Sequence, residues 1–373
     1  MTSRNVYLNH AGTSWPKPPS VLAAVGDFLQ TSPDQWPDRF EKAHHAVAEF
    51  FHISNPSRLL LTPGGTSALG VAVADHLWSS SDRVLTSSLE HHALYRPLTK
   101  LKDQGVEIVA LPRTPTEFVV LEVLERELRA GKVRMVALTA ACNVTGELLT
   151  IQEVIVLARH YGAMTLIDAA QIVGWWDLDI PRLGADMVAF AGHKGLHAPW
   201  GVGGLYVSPE LILNTPAATC EKPPDGNATF CSPMPGYCDV GSVDQAALAG
   251  LRSAVEWLGL PEQEDRFRRC CELAEQLRDV VRNLAGATIH GSQDSSRQMP
   301  TVAFTLGGTS GLKPSELAKK LAGQGIVVSG GLQCAPLAHE TLGTAPEGLV
   351  RMSVGLSNTQ DDVEYVSEVL RSL

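Results

Sequence analysis

Short, unbroken apolar runs punctuate the chain up to residue 208, and few of them alternate with polar positions. They are RLLLT (58–62), RVLTS (83–87), VEIVAL (106–111), MVALTA (135–140), MTLIDA (164–169), MVAFAG (187–192) and GLYVS (204–208). Their length suits strands, and their continuous hydrophobicity suits strands covered on both faces. Longer stretches with helical spacing lie between them. TSALGVAVADHLW is one; LTIQEVIVLARHYGA is another, closing on the stop signals His160 and Gly162. This alternation predicts an α/β fold with an open, mostly parallel sheet flanked by helices.

After residue 208 the pattern breaks. NTPAATCEKPPDGNATFCSPMPGYCDVGS is rich in Pro, Gly, Asn and Cys and has no period, which predicts a long ordered loop or an exposed linker. Leu248, Leu251, Val255 and Leu258 then return to helical spacing, and a second helix follows in EQEDRFRRCCELAEQLRDVVRNL. PTVAFTLGG, GIVVSGG and GLVRMSVG read as strands of a smaller α+β unit. The expected division is a large domain over 16–250 and a small domain over 251–373 that includes the N-terminal segment 1–15.

Composition narrows the function classes. The chain has 373 residues, 44% hydrophobic and 19% charged, as expected of a globular protein with a large core. A net charge of −10 argues against nucleic acid as a partner. No apolar run is long enough to predict a membrane span, and MTSRNVYLNHAGTSW lacks the apolar segment of a signal peptide. Cys142, Cys220, Cys231, Cys238, Cys270, Cys271 and Cys334 are odd in number and irregularly spaced, which suits free thiols in a reducing cytoplasm. There is no CxxC or HExxH, so no metal is expected.

Candidate chemistry sits where the strands end, and open α/β sheets bind ligands beyond those carboxyl ends. TPGGTSALGVA (62–72) opens a helix, and the N–H groups of Gly64, Gly65 and Thr66 suit a phosphate, although such a turn is often only a turn. SLEHHALYRPL offers His91 and His92. LIDAAQIVG ends an apolar run on Asp168, with Gln171 three residues on; an Asp there is also a common helix cap. MVAFAGHKGLHAPWGVGGLYV places Lys194 at the end of a buried run. A lysine there is costly to desolvate unless its amine is engaged or snorkels to the surface. A phosphate cradle, an imidazole, a buried carboxylate and a strand-end lysine are together what pyridoxal phosphate requires. Lysine forms the Schiff base, the carboxylate keeps the pyridine nitrogen protonated, the imidazole stacks on the ring, and Gln171 can bond the phenolic oxygen.

At YLNHAGTSWPKP, EHHA, NVTG, DAAQ, GHKGLHAPWGVGGLYV, CAPLAHETLG and VRMSVGLSNT the chain resembles the class V aminotransferase superfamily, and within it the SufS-type cysteine desulfurases. The resemblance runs from about residue 6 to the end. It implies the fold-type I architecture of pyridoxal phosphate enzymes and a homodimer. It implies that Lys194 carries the cofactor, Asp168 pairs with the pyridine nitrogen, His91 stacks and joins Lys194 in moving the Cα proton, and Gly65, Thr66 and His193 bind the phosphate. Gly241 and Ser242 match a pair through which the dimer mate reaches that phosphate. Asn143 and Arg351 match the holders of the substrate carboxylate, and Cys334 matches the nucleophile. The implied reaction turns L-cysteine into L-alanine, with sulfur captured as a persulfide on Cys334 and passed to an acceptor protein.

Three positions depart from the family pattern. Ala191 stands where Ser is usual before GHK, Ser329 where Arg is usual, and Gln333 where His precedes the cysteine. The last two remove positive charge near the thiol, so Cys334 is expected to ionise less readily than in relatives. The rival reading keeps the cofactor but makes the protein a C–S β-lyase, an epimerase or another class V enzyme, with Cys334 a bystander. A lyase would release pyruvate and ammonia instead of alanine. A non-catalytic protein that had kept only the fold would be expected to lack Lys194 or Asp168, and both are present.

Overall fold

The computed structural model describes residues 4–114, 117–211, 213, 244–307 and 312–372. Strand β1 (Val6–Tyr7) lies apart from the main sheet. The main sheet is built from the runs read in the sequence: β2 (Leu59–Thr62), β3 (Arg83–Ser87), β4 (Glu107–Leu111), β5 (Val133–Thr139), β6 (Met164–Asp168), β7 (Met187–Ala191) and β8 (Gly203–Val207). Their order is β2-β8-β7-β6-β5-β3-β4. Strands β3 to β7 run parallel, whereas β8 is antiparallel to both β2 and β7. The connection 192–202 is too short for a crossover helix, so the chain returns beside β7 in the opposite sense.

The apolar runs are unbroken because both sheet faces are covered. Successive residues of a strand point to opposite faces. Leu60, Met187 and Ala189 pack with the helices Gly65–Ala74 and His92–Lys100. Leu59, Leu61, Val188 and Phe190 pack with the helices Trp36–Phe50 and Gln245–Leu258. Burying each large side chain stabilises by about 1.5–3 kcal/mol. Asp244 caps the last of these helices by accepting the Ala247 N–H at 2.9 Å, and Leu248, Leu251, Val255 and Leu258 are all buried as their spacing predicted.

The C-terminal part adds β9 (Ala287–His290), β10 (Thr301–Leu306), β11 (Ile326–Val327), β12 (Ser329–Gly331) and β13 (Leu349–Ser353). Four of these form an antiparallel sheet in the order β12-β13-β10-β9. Strand β11 pairs in parallel with β1, Val6 opposite Ile326. That pairing ties the N-terminal segment to the last third of the chain. The segment then continues to the carboxyl ends of the large sheet, where Ser14 N–H donates to the His193 carbonyl at 2.9 Å. No helix among the described residues is long and apolar enough to cross a membrane.

Candidate active site

The carboxyl ends of the parallel strands, the N-terminal segment and the β12–β13 edge surround a cavity of about 330 Å³. It is lined by Gly65, Thr66, His91, Asn143, Asp168, His193, Lys194, Cys334 and Arg351, all singled out in the sequence. Gln171 is not among the lining residues; its amide donates to the Ala11 carbonyl at 3.1 Å, which ties the turn after Asp168 to the N-terminal segment. Gly241 and Ser242 lie outside the described residues.

After β2 the chain turns at Gly64 and enters the helix Gly65–Ala74. A Cβ on Gly65 would stand 3.3 Å from the Ala191 side chain and 3.4 Å from the Phe190 carbonyl oxygen. Glycine here lets the helix N-terminus seat closely on the end of β7 without a tight side-chain contact, with its first N–H groups toward the cavity.

After β3, His91 caps the helix His92–Lys100, and its Nδ1 accepts the Ala93 N–H at 3.0 Å. That bond requires an unprotonated Nδ1, so the neutral ring carries its proton on Nε2. Burial, reinforced by Lys194, His92, Arg351 and Arg96, pushes the His91 pKa down to about 3. His91 therefore presents a neutral ring face to the cavity.

Asp168 ends β6, buried, and accepts the Ala170 N–H at 3.0 Å. Lys194 sits in the loop after β7. Burial lowers its pKa, while Asp168 pulls it back up; the same burial raises Asp168, opposed by Lys194. The loop is fixed from several sides. His197 N–H donates to the Lys194 carbonyl and Ala198 N–H to the Gly192 carbonyl, both at 2.9 Å. A Cβ on Gly174 (φ +85°) would lie 2.2 Å from the Gly195 oxygen, so the turn beyond Asp168 presses directly on the lysine loop.

The opposite wall comes from the small sheet. Arg351, buried on β13, donates from Nη1 to the Asn143 carbonyl at 2.5 Å and from Nη2 to Asn9 Oδ1 at 2.9 Å. Its burial lowers the guanidinium pKa to about 10, leaving it charged at neutral pH. Asn143 Nδ2 donates to the Gln333 carbonyl at 2.8 Å. Cys334 follows, exposed, in the turn between β12 and the helix Pro336–Thr341. Gln333 and Cys334 are both left-handed, with φ +41° and +57°. Cys142, Cys270, Cys271 and Cys334 are free thiols. Among the described residues no cluster of His, Cys, Asp and Glu could hold a metal.

The family model for aminotransferase class-V matches residues 6–366. The chain belongs to that family. Among its class-V relatives, a "Probable cysteine desulfurase" of Vibrio cholerae is 29% identical over 96% of this chain and 91% of its own length. "Cysteine desulfurase CsdA" of Escherichia coli is 29% identical over 99% of this chain and 94% of its own. The crystal structure of that Escherichia coli protein, as its S-sulfonic acid, superimposes with a TM-score of 0.86 at 26% identity, covering 99% of this chain and 94% of that one. The shared architecture is the fold-type I class of pyridoxal phosphate enzymes, an α/β fold with a mostly parallel central sheet flanked by helices.

Sequence reasoning missed two polar residues of this class-V site. Asn9 orients Arg351 across a separation of 342 residues, and nothing local marks it. Glu90 is fully buried behind the cavity, accepting the Thr139 N–H at 3.0 Å and the Ser87 hydroxyl at 2.5 Å. Burial pushes its pKa up to about 8, with Asp168 adding to the rise. Its signal was present in SLEHHA, a carboxylate next to two histidines at a strand end.

Proposed function

We propose that the protein is a pyridoxal phosphate-dependent cysteine desulfurase that converts L-cysteine to L-alanine and leaves the sulfur on Cys334. The observation that carries this reading is that Lys194, Asp168, His91, Arg351 and Cys334 all line one cavity. Class-V relatives named cysteine desulfurase over nearly the whole chain support it.

The residues present fit the cofactor. His193 Nδ1, Asn143 Oδ1 and Arg351 Nε are buried polar atoms without a protein partner around the same cavity. Gly65, Thr66 and His193 would hold the phosphate, Asp168 the pyridine nitrogen, His91 the ring face and Lys194 the aldehyde carbon. When bound, the cofactor supplies an electron sink for charge developing at the substrate Cα.

The chain's own residues do the rest. Arg351, aimed by Asn9 and the Asn143 carbonyl, grips the substrate carboxylate with help from Asn143. Lys194, whose lowered pKa favours the free amine, takes the Cα proton on Nζ and returns it. His91, whose Nδ1 is held by the Ala93 N–H, keeps Nε2 as the ring nitrogen that can assist Lys194 with the proton. The Cys334 thiolate attacks the substrate sulfur. An S–S bond forms and the C–S bond breaks, its electron pair staying with the substrate carbon, which takes a proton to become the methyl of alanine. The persulfide then awaits a thiol on an acceptor protein. We place the enzyme in the cytoplasm, where its thiols stay reduced, as a homodimer. Sedimentation at micromolar concentration checks the dimer, and a monomer with full cofactor occupancy contradicts it.

The test of the reaction is to incubate the purified protein with L-cysteine and assay alanine, pyruvate and persulfide together. Alanine with persulfide supports the desulfurase. Pyruvate with ammonia, unchanged in Cys334→Ser, makes the protein a C–S lyase instead.

A further inference from the structure

The departure at Gln333 is more than the loss of a histidine. Its side chain joins three parts of the molecule. Nε2 donates to the Leu349 carbonyl at 3.0 Å, on the strand that carries Arg351. Oε1 lies 3.0 Å from His339 Nε2. His339 is fully buried, and its Nδ1 lies 2.7 Å from the Thr344 hydroxyl. Burial keeps that imidazole neutral, with a pKa lowered to about 4. With Thr344 donating to Nδ1, the His339 proton sits on Nε2 and points at Gln333 Oε1. Nε2 also reaches the Ser329 hydroxyl at 3.5 Å on β12, so the Gln333 amide donates to Leu349 and Ser329 and accepts from His339.

The backbone of the same residue faces the other way. The Gln333 carbonyl accepts from Asn143 Nδ2 at 2.8 Å, and Asn143 in turn offers its own carbonyl to Arg351. The next carbonyl, that of Cys334, accepts the His92 N–H at 2.9 Å. Two consecutive non-glycine residues in the left-handed region, Gln333 and Cys334, persist only where surrounding bonds over-determine them. Here the amide bonds to Leu349 and His339 hold the turn from the small-sheet side, and Asn143 and His92 hold it from the large-sheet side.

We propose that Gln333 is a positioning residue for sulfur transfer, locking the Cys334 turn to the Arg351 strand and to Asn143 so that thiol and substrate-carboxylate site keep one fixed geometry. The proposal rests on the reading of Cys334 as the nucleophile. It predicts that loss of the amide leaves substrate binding intact and misplaces the thiol, which costs up to about a hundredfold in rate for a displacement near 1 Å.

The test uses the holoenzyme and Gln333→Met, which keeps the length and loses the amide's hydrogen bonds to Leu349, Ser329 and His339. Three quantities are read: the L-cysteine concentration that half-saturates the visible spectral change, the single-turnover rate of alanine formation, and hydrogen exchange over residues 332–342. The expected result is an unchanged half-saturation, an alanine rate lowered about tenfold or more, and faster exchange in that segment. Gln333→Glu keeps an acceptor for His339 but loses the donor to Leu349, and should show a smaller change of the same kind; it decides the matter if Gln333→Met fails to fold. An alanine rate within twofold of wild type, or a loss of half-saturation as large as the loss of rate, overturns the proposal. A wild-type protein that forms no persulfide on Cys334 overturns the nucleophile reading first, and the proposal with it. Wild-type persulfide with an unimpaired Gln333→Met overturns the Gln333 role alone.

Discussion

The lysine end and the cysteine end of the cavity are built differently. Lys194 lies in a loop held by glycine against glycine at Gly174 and Gly195, and by the Ser14 N–H and the side chains of Thr13, Ser14 and Lys17 on the His193 carbonyl. Cys334 is exposed and left-handed, held by the His92 N–H on its own carbonyl and by side-chain amides reaching its neighbour. In the proposed reaction the lysine returns to one place in every cycle, and the thiol meets a substrate on one side and an acceptor on the other. A second, larger cavity of about 680 Å³ between the helices Gly65–Ala74 and His92–Lys100 shares Thr66, His91, Ala93 and Cys334 with the first, so the sulfur stands at a doorway. The contrast lies in how each group is held: the lysine loop by glycine packing and the N-terminal segment, the turn of the thiol by hydrogen bonds from both sheets.

The largest effect that could break this contrast comes from the lysine side. Lys194→Ala should lower alanine formation by about 10³-fold or more, since general acid–base transfer alone contributes 10²–10⁴. It should also lose the cofactor label that borohydride otherwise fixes on Lys194; label recovered on another lysine would reassign the site. Next comes the carboxylate grip. Asn9→Ala removes the acceptor that aims Arg351 Nη2. A hydrogen bond to a charged group is worth about 1.5–3 kcal/mol, so KM for L-cysteine should rise roughly tenfold to a hundredfold while kcat changes less. A kcat loss with KM unchanged would mean that Arg351 serves the chemistry rather than the binding.

Stability should also report the buried N-terminal strap. His10 is buried, and burial lowers its pKa to about 4. The folded state therefore binds fewer protons than the unfolded chain below the ordinary histidine value near 6.5. This contribution to stability is complete above that value and is lost as pH falls from about 6.5 toward 4, at about 1.4 kcal/mol per unit. His10→Phe should flatten the fall in unfolding free energy over that window. An equal slope in wild type and variant would place the acid sensitivity elsewhere. The smallest effect is expected at the phosphate. Ala191→Ser adds a hydroxyl beside the Gly65 helix start, and one net hydrogen bond of about 1 kcal/mol should tighten cofactor binding roughly fivefold, measured by equilibrium dialysis.

Much of this was legible in the sequence because it is local. A strand-end Asp168 or Lys194 announces itself by interrupting an apolar run, and the alternation of runs and helical spacing fixes which ends share a face. What stayed hidden depends on contacts across the chain. Asn9 meets Arg351 because the N-terminal segment runs beside β13 and bridges Ser353. Gln171, read from its spacing to Asp168, also donates to Ala11 of the distant N-terminal segment, a contact its spacing could not show. The antiparallel sense of β8 follows from the length of one connection rather than from its own residues. Gln333 looks like a lost charge in sequence and a hydrogen-bonded brace in space.

The most direct test of the central claim is peptide mass mapping of the protein after a single turnover with L-cysteine, without reductant, alongside alanine quantification. The account predicts one added sulfur on the peptide containing Cys334, in amount equal to the alanine released, and none on Cys142, Cys270 or Cys271. Alanine formed at the wild-type rate by Cys334→Ala, or added sulfur found on another cysteine and absent from Cys334, would contradict it.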